Sequence, residues 1–311
     1  MQVFDATAVR QCSPMPALIA ALRAAFEAGA EVPQRHAHAL PEGASVLLMP
    51  AWRAAGRLGV KTVTICPGNG ALGLPGVHGL YSLFDARTGV PLAVLDGSEL
   101  TARRTAAASA LAASYLARAQ ARTLLVVGAG RVAALLPEAM RAVRPGLSEV
   151  LVWARRGDAA HELAAQWCAA GLQARATDDL AAAVRSADIV SCATLSSAPL
   201  VQGEWLRAGS HLDLIGSFTP AMRETDAACF ARCRVWVDTS EALVKAGDVL
   251  QAIAEGAFAA ERVQGTLAEL VRARCPARAN EQEHTLFKSV GNAIEDLAAA
   301  ELVVDAHGGP G

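Results

Sequence analysis

The residue types able to do chemistry fall into two sets in this sequence. The first is three cations: Arg35 in "VPQRHAH", Lys61 in "LGVKTVTIC" and Arg104 in "LTARRTAAASALA". A lysine inside a short β-branched run costs free energy unless an anion meets it. Two guanidiniums can grip a carboxylate through bidentate, charge-assisted bonds, and a neighbouring lysine can polarise or protonate a nitrogen. Each also has a plain reading: Arg35 as a loop arginine, Lys61 snorkelling from an edge strand, Arg104 as a solvated helix arginine. The second set is the turn "VVGAGRVA". Gly128, Gly130 and Ala133 make a G-x-G-x-x-A pattern, with Arg131 and Val132 inside it, directly after the apolar run "RTLLVV". The first glycine suits a tight turn, the second lets backbone approach a pyrophosphate, and the small third residue lets helix and strand pack closely. Phosphate would rest on the free N–H groups of the following helix.

These residues need elements to carry them. "PMPALIAALRAAFEAGA" has helical spacing closed by Gly29, and "SVLLMPAW", "LGVKTVTIC", "GLYSLFDA" and "PLAVLDG" read as strands of a mostly antiparallel sheet, with a hairpin turning at Arg87 to Gly89. "SELTARRTAAASALAASYLARA" predicts a long helix capped by Ser98 or Thr101. Strand and helix then alternate through "RTLLVV", "EVLVWA", "DIVSCAT" and "HLDLIGS", the pattern of a doubly wound parallel sheet. The stretch "EHTLFKSVGNAIEDLAAAELVV" predicts one more helix, returning to the first domain. The fold class expected is α/β: a Rossmann sheet over 119–290, plus an α+β domain built from both chain ends, 1–118 and 291–311.

The second Rossmann strand runs out into "LVWARRGD". An Asp or Glu for ribose hydroxyls is absent there, and Arg155 and Arg156 suit a 2′-phosphate, so NADPH is the preferred cofactor expected, with NADH possible. Asp158 reads as the cap of the next helix. Thr194, after a later strand, could touch the cofactor or cap a turn.

Composition narrows the classes of function. The chain has 311 residues, 53% hydrophobic and 19% charged, with a formal net charge of −2. That balance predicts two folded domains, not disorder. No basic block points to nucleic acid, no segment to a membrane span or leader, and a cytoplasmic location follows. The seven scattered cysteines contain no C-x-x-C and read as reduced buried hydrophobes. No metal site is expected, since His36 and His38 lack a third ligand at any recognisable spacing.

Several long strings, "PQR", "LLMPAW", "KTVTICPGNGALGLP", "LFDARTGVPLAVLDG", "LTARRTAAASALA" and "TLFKSVG", resemble the ornithine cyclodeaminase and mu-crystallin family over residues from about 30 to 302. The resemblance implies a homodimer, a substrate and dimerisation domain formed by both chain ends, and a pocket lined by Arg35, Lys61 and Arg104, with Ser289 near the nicotinamide end or merely packing a helix. Cyclodeaminases of the family carry a catalytic aspartate where this chain has Phe218, after Ser217. Phenylalanine has no acid or base function, so the resemblance points to members that reduce cyclic ketimines, Δ1-pyrroline-2-carboxylate or Δ1-piperideine-2-carboxylate. Phe218 could equally be core, and Glu224 and Asp226 read as caps or arginine partners. Three other readings stand beside this one: the lyase, an amino-acid dehydrogenase such as alanine dehydrogenase, and a non-catalytic ligand-binding protein. The anion expected to meet Lys61 is the substrate.

Overall fold

The computed structural model describes residues 1–54 and 56–308. The chain divides into two compact units, Met1–Ala107 with Asn292–Gly311, and Ala108–Gly291.

The first unit is a six-stranded sheet with helices on one face. Its strands are β1 (Gln2–Phe4), β2 (His36–Ala39), β3 (Ser45–Trp52), β4 (Arg57–Ile65), β5 (Val77–Asp85) and β6 (Pro91–Asp96), in the order β1-β6-β5-β4-β3-β2. All pairings are antiparallel except β1 with β6. The hairpin between β5 and β6 is tied by Asp85, whose Oδ1 accepts from the Arg87 and Thr88 amides and the Thr88 hydroxyl. Gly89 closes that turn at φ +73, a conformation glycine adopts without steric cost.

Helix α1 spans Ala6–Cys12, and α2 (Met15–Ala28) buries Met15, Leu18, Ile19, Leu22, Ala25 and Phe26, one stripe at helical spacing. The C-terminal helix (Ala293–Ala306) packs on α2, β3 and β4. It is buried on nearly all sides, which its alanines permit by allowing close approach. Helix α3 (Gly97–Leu116) follows β6. Its cap is Asp96, whose Oδ1 accepts from Glu99 N at 2.7 Å; the Ser98 or Thr101 expected there already lies within the helix.

The second unit is an eight-stranded parallel sheet, the doubly wound architecture expected. Strands β7 (Thr123–Val127), β8 (Glu149–Trp153), β9 (Ala174–Ala176), β10 (Ile189–Cys192), β11 (His211–Leu214), β12 (Arg234–Val237), β13 (Val263–Thr266) and β14 (Thr285–Lys288) run in the order β13-β12-β14-β11-β10-β7-β8-β9. The central strands β10, β11 and β14 are buried at every position, as a sheet covered on both faces requires. β14 corrects the sequence reading. "TLFK" is a central strand, not the start of a helix, and Gly291 (φ +84) and the Asn292 cap separate it from the C-terminal helix.

A buried histidine at the start of β11 sets an acid limit on this unit. His211 bonds through Nδ1 to Thr285 Oγ1 at 3.0 Å. Burial, aided by Arg278 and Arg144, pushes its pKa from 6.5 down to about 3. The folded state therefore excludes a proton that the unfolded chain takes up, so the stability His211 supplies is complete above 6.5 and drains away as pH falls toward 3. His211→Gln is expected to flatten the loss of urea-unfolding midpoint between neutral and acid pH; an unchanged slope contradicts this.

Candidate functional site

In the first unit, two of the three expected cations meet. Lys61 sits mid-β4, across from Met49 on β3 and Tyr81 on β5. Alternation turns Gly59 and Lys61 to the inner face, beneath the C-terminal helix. Lys61 Nζ lies 2.7 Å from Asp296 Oδ2. Arg104, on α3, donates from Nε to Asp296 Oδ1 at 2.9 Å and from Nη1 to Glu295 Oε2 at 2.6 Å. All four side chains are buried. Two positive and two negative charges cancel, the condition for burying any of them.

The anion meeting Lys61 is thus a carboxylate of the chain itself, a correction to the expectation that the substrate fills that role. Solvated or snorkelling readings of Lys61 and Arg104 fail too, since they are 2% and 5% exposed. Glu295 and Asp296 occupy the first turn of the C-terminal helix, where the helix dipole favours negative charge. Burial pushes Lys61 down to about 8, partly offset by Asp296 and reinforced by Arg104. Burial would raise Asp296, but Arg104 and Lys61 outweigh it and hold the carboxyl low.

Arg35 is half-buried just before β2. Because His36 pairs with Leu48, continuing that register by one residue lines Arg35 up with Met49 and Lys61. Sequence reasoning missed Glu295, Asp296 and Tyr81. Tyr81 is buried with its hydroxyl unpartnered and lies over Gly59, where a Cβ would stand 1.9 Å from that oxygen. The available signal was a pair of adjacent carboxylates in the first turn of the otherwise apolar run "NAIEDLAAA".

In the second unit, the glycine turn joins β7 to α4 (Arg131–Val143). Gly128 has φ +122, and a Cβ there would lie 2.5 Å from Ala193 O and 3.4 Å from Thr194 Cγ2. Gly130 has open space where its Cβ would be. It starts α4 with no side-chain cap and no acidic residue in the first turn, leaving the helix amides free for an anion. Ala133 is fully buried against the sheet, Val132 half-buried and Arg131 exposed. The strand order reverses between β7 and β10, so Gly128 and Thr194 flank the switch point where open α/β sheets bind ligands. These residues fit a phosphate-bearing dinucleotide.

Arg155 and Arg156 are exposed beyond β8, and Arg156 is the N-cap residue of α5 (Gly157–Ala169). Asp158 is not the cap expected; it lies in the first turn. Thr194 gives both its N–H and its hydroxyl to Glu224 Oε1, at 2.7 and 2.8 Å. Glu224 is therefore neither a cap nor an arginine partner, whereas Asp226 does cap the helix Ala227–Arg232. Ser289 directly follows β14 with its amide on Leu214 O, 5% exposed, and is not on a helix. Phe218 is 44% exposed, which excludes a core role. It follows Ser217, held at φ +57 with its hydroxyl donating to Met222 O. Among the described residues, no three His, Cys, Asp or Glu side chains gather as a metal site, and no helix is long and apolar enough to cross a membrane.

The model of the ornithine cyclodeaminase/mu-crystallin family matches residues 2–309. The chain belongs to this family. A Δ1-pyrroline-2-carboxylate reductase of Paracoccus denitrificans is 43% identical, covering 86% of this chain and 85% of that protein. The structure of Thermococcus litoralis Δ1-pyrroline-2-carboxylate reductase, in complex with NADH and L-proline, superposes with a TM-score of 0.93 at 31% identity, covering 98% and 97% of the two chains. An archaeal alanine dehydrogenase dimer with bound NAD gives 0.91 at 30% identity, covering 98% and 95%.

Proposed function

We propose that this protein is a reductase of cyclic ketimines, converting Δ1-pyrroline-2-carboxylate to L-proline, Δ1-piperideine-2-carboxylate to L-pipecolate, or both. The observation that carries this reading is the near-complete likeness to the Thermococcus litoralis reductase seen with NADH and L-proline. The inner-face cluster supports it chemically. Arg104 commits Nε and Nη1 to Asp296 and Glu295, which fixes the guanidinium in one orientation for a carboxylate ligand on its remaining edge. Arg35 is the second carboxylate-gripping cation. Lys61, poised at about 8, is still mostly protonated at neutral pH and donates to the ring nitrogen.

The first unit is the substrate and dimerisation unit and the second the dinucleotide unit. Gly128, Gly130, Arg131, Val132, Ala133, Arg155, Arg156, Thr194 and Ser289 hold the reduced dinucleotide, which supplies the hydride when bound. NADPH is favoured over NADH because Arg155 and Arg156 stand beyond β8 with no carboxylate between them and the strand. Replacing both by Ser is expected to lower kcat/KM for NADPH by roughly tenfold, about the 1.4 kcal/mol of one charge-assisted contact, with NADH little changed. An equal loss with both cofactors would remove the preference.

The sheet of the first unit supports a homodimer. Its outer face carries Val46, Leu48, Val60, Leu80, Phe84 and Val94, half-buried or exposed, opposite the helix-covered face. An apolar sheet face of that extent suits a second copy of the chain.

Loss of reduced-nicotinamide absorbance separates the readings. Turnover is expected with the five- or six-membered ketimine, and not with pyruvate plus ammonia. Ornithine without ketimine tests the lyase by ammonia release, where none is expected because Phe218 cannot act as acid or base. Dinucleotide binding with no turnover of any of these would favour a ligand-binding protein.

A further inference from the structure

Glu224 is a buried carboxylate that none of the steps above uses. Its chain neighbours tie two loops at the carboxyl end of the parallel sheet. Leu200 N and Val201 N donate to Glu224 O at 2.8 and 3.1 Å, and Arg223 N donates to Ser196 O at 2.7 Å. Asp248, on the helix Gly247–Ala254, accepts from the amides of Glu224 and Thr225, both at 2.9 Å, and its own amide donates to Ser217 Oγ at 2.8 Å. The 223–226 segment is therefore an anchored backbone from which the Glu224 side chain projects to Thr194.

The fit around that side chain leaves no slack. Gly216 lies so close that a Cβ there would meet Thr194 O at 2.3 Å and Glu224 Oε1 at 2.4 Å. Lys288 Nζ, fully buried, donates to Leu214 O at 3.1 Å and also to Gly216 O, which fixes this glycine from below. Glu224 Oε1 takes two donors from Thr194, while Oε2 has no partner. A buried acceptor left unpaired costs free energy, so the carboxylate is kept where an apolar side chain would pack at lower cost. What it holds is the wall of the glycine turn, since Ala193 O and Thr194 Cγ2 lie 2.5 and 3.4 Å from the missing Cβ of Gly128.

We propose that Glu224 is a positioning residue for dinucleotide binding: it clamps Thr194 so that the loop after β10 forms a rigid wall against the Gly128 turn. This rests on the second unit's reading as the dinucleotide unit. The clamp is a matter of two accepted hydrogen bonds, not of charge, so a glutamine oxygen serves as well, and a side chain lacking acceptors does not.

The test measures NADPH and NADH affinity of the full chain by fluorescence titration, with amide hydrogen exchange of residues 194–198 as a second readout. Glu224→Met is expected to raise the dissociation constant by about tenfold, the effect of one to two net hydrogen bonds, and to speed exchange at 194–198 while β7 and β11 amides stay protected. Glu224→Gln is expected to restore both. Glu224→Asp, whose shorter arm cannot keep both donors, is expected to weaken binding as well and decides the matter if the methionine variant does not fold. A folded Glu224→Met or Glu224→Asp that binds as the wild type does, or a Glu224→Gln as weak as Glu224→Met, overturns the proposal. A wild-type chain that binds neither dinucleotide overturns the underlying reading instead.

Discussion

Lys61→Met is expected to abolish ketimine reduction while leaving dinucleotide binding intact. Methionine matches the lysine stem and fills the inner face between Met49 and Tyr81, so packing is kept, while Asp296 and Glu295 are left with Arg104 as their counter-charge and the first unit is expected to lose stability, though less than it loses without Asp296. Asp296 keeps its bond from Arg104. General acid catalysis contributes roughly 10²–10⁴-fold, so kcat/KM should fall by about three orders of magnitude. The dissociation constant for NADPH is expected to stay unchanged. The wild-type enzyme carries the matching pH signature: burial sets Lys61 near 8, so the rate of reduction should decline as pH rises through that value, because the neutral amine has no proton to give. A Lys61→Met variant that turns over normally, or a rate indifferent to pH across that range, would remove the lysine from the chemistry.

Removing its carboxylate partner should cost the fold itself. Asp296→Ala leaves Lys61 and Arg104 buried with Glu295 as their one remaining counter-charge in the cluster. Breaking a buried ion pair from one side costs about 3–5 kcal/mol, since the partner left behind keeps its desolvation penalty. The urea midpoint of the first unit is expected to drop accordingly, with Lys61 shedding its proton at lower pH to escape an unpaired charge. Asp296→Asn keeps an acceptor for Arg104 and should fold. In that variant the high-pH limb of the reduction rate should move to lower pH. If Asp296→Ala is as stable as the wild type, the cluster is not compensated in the way the distances imply.

Legibility differed between the two units for a physical reason. The glycine turn was readable because its requirements are local: φ +122 at Gly128 and an uncapped helix start within a few residues. The strands β3 to β6 were readable from apolar runs separated by turn residues, and β7, β8, β10 and β11 from short apolar runs alternating with helical stretches. The helix predicted from "EHTLFKSVGNAIEDL" failed at its first half because a four-residue buried run carries no period that separates strand from helix. Glu224 was misjudged for a related reason. A carboxylate in "RETD" looks like a cap in one dimension, and only the approach of the loop after β10 brings the Thr194 donors to it.

The sequence by itself determined the α/β class, the dinucleotide-type turn, and the identity of Lys61 and Arg104 as cations needing an anion. It could not name that anion. Two independent phases had to coincide: the β4 register that turns Lys61 inward, and the Asn292 cap that sets the C-terminal helix so that Asp296 faces it. Charge compensation between segments far apart in the chain is a property of packing, and only the tertiary structure decided it.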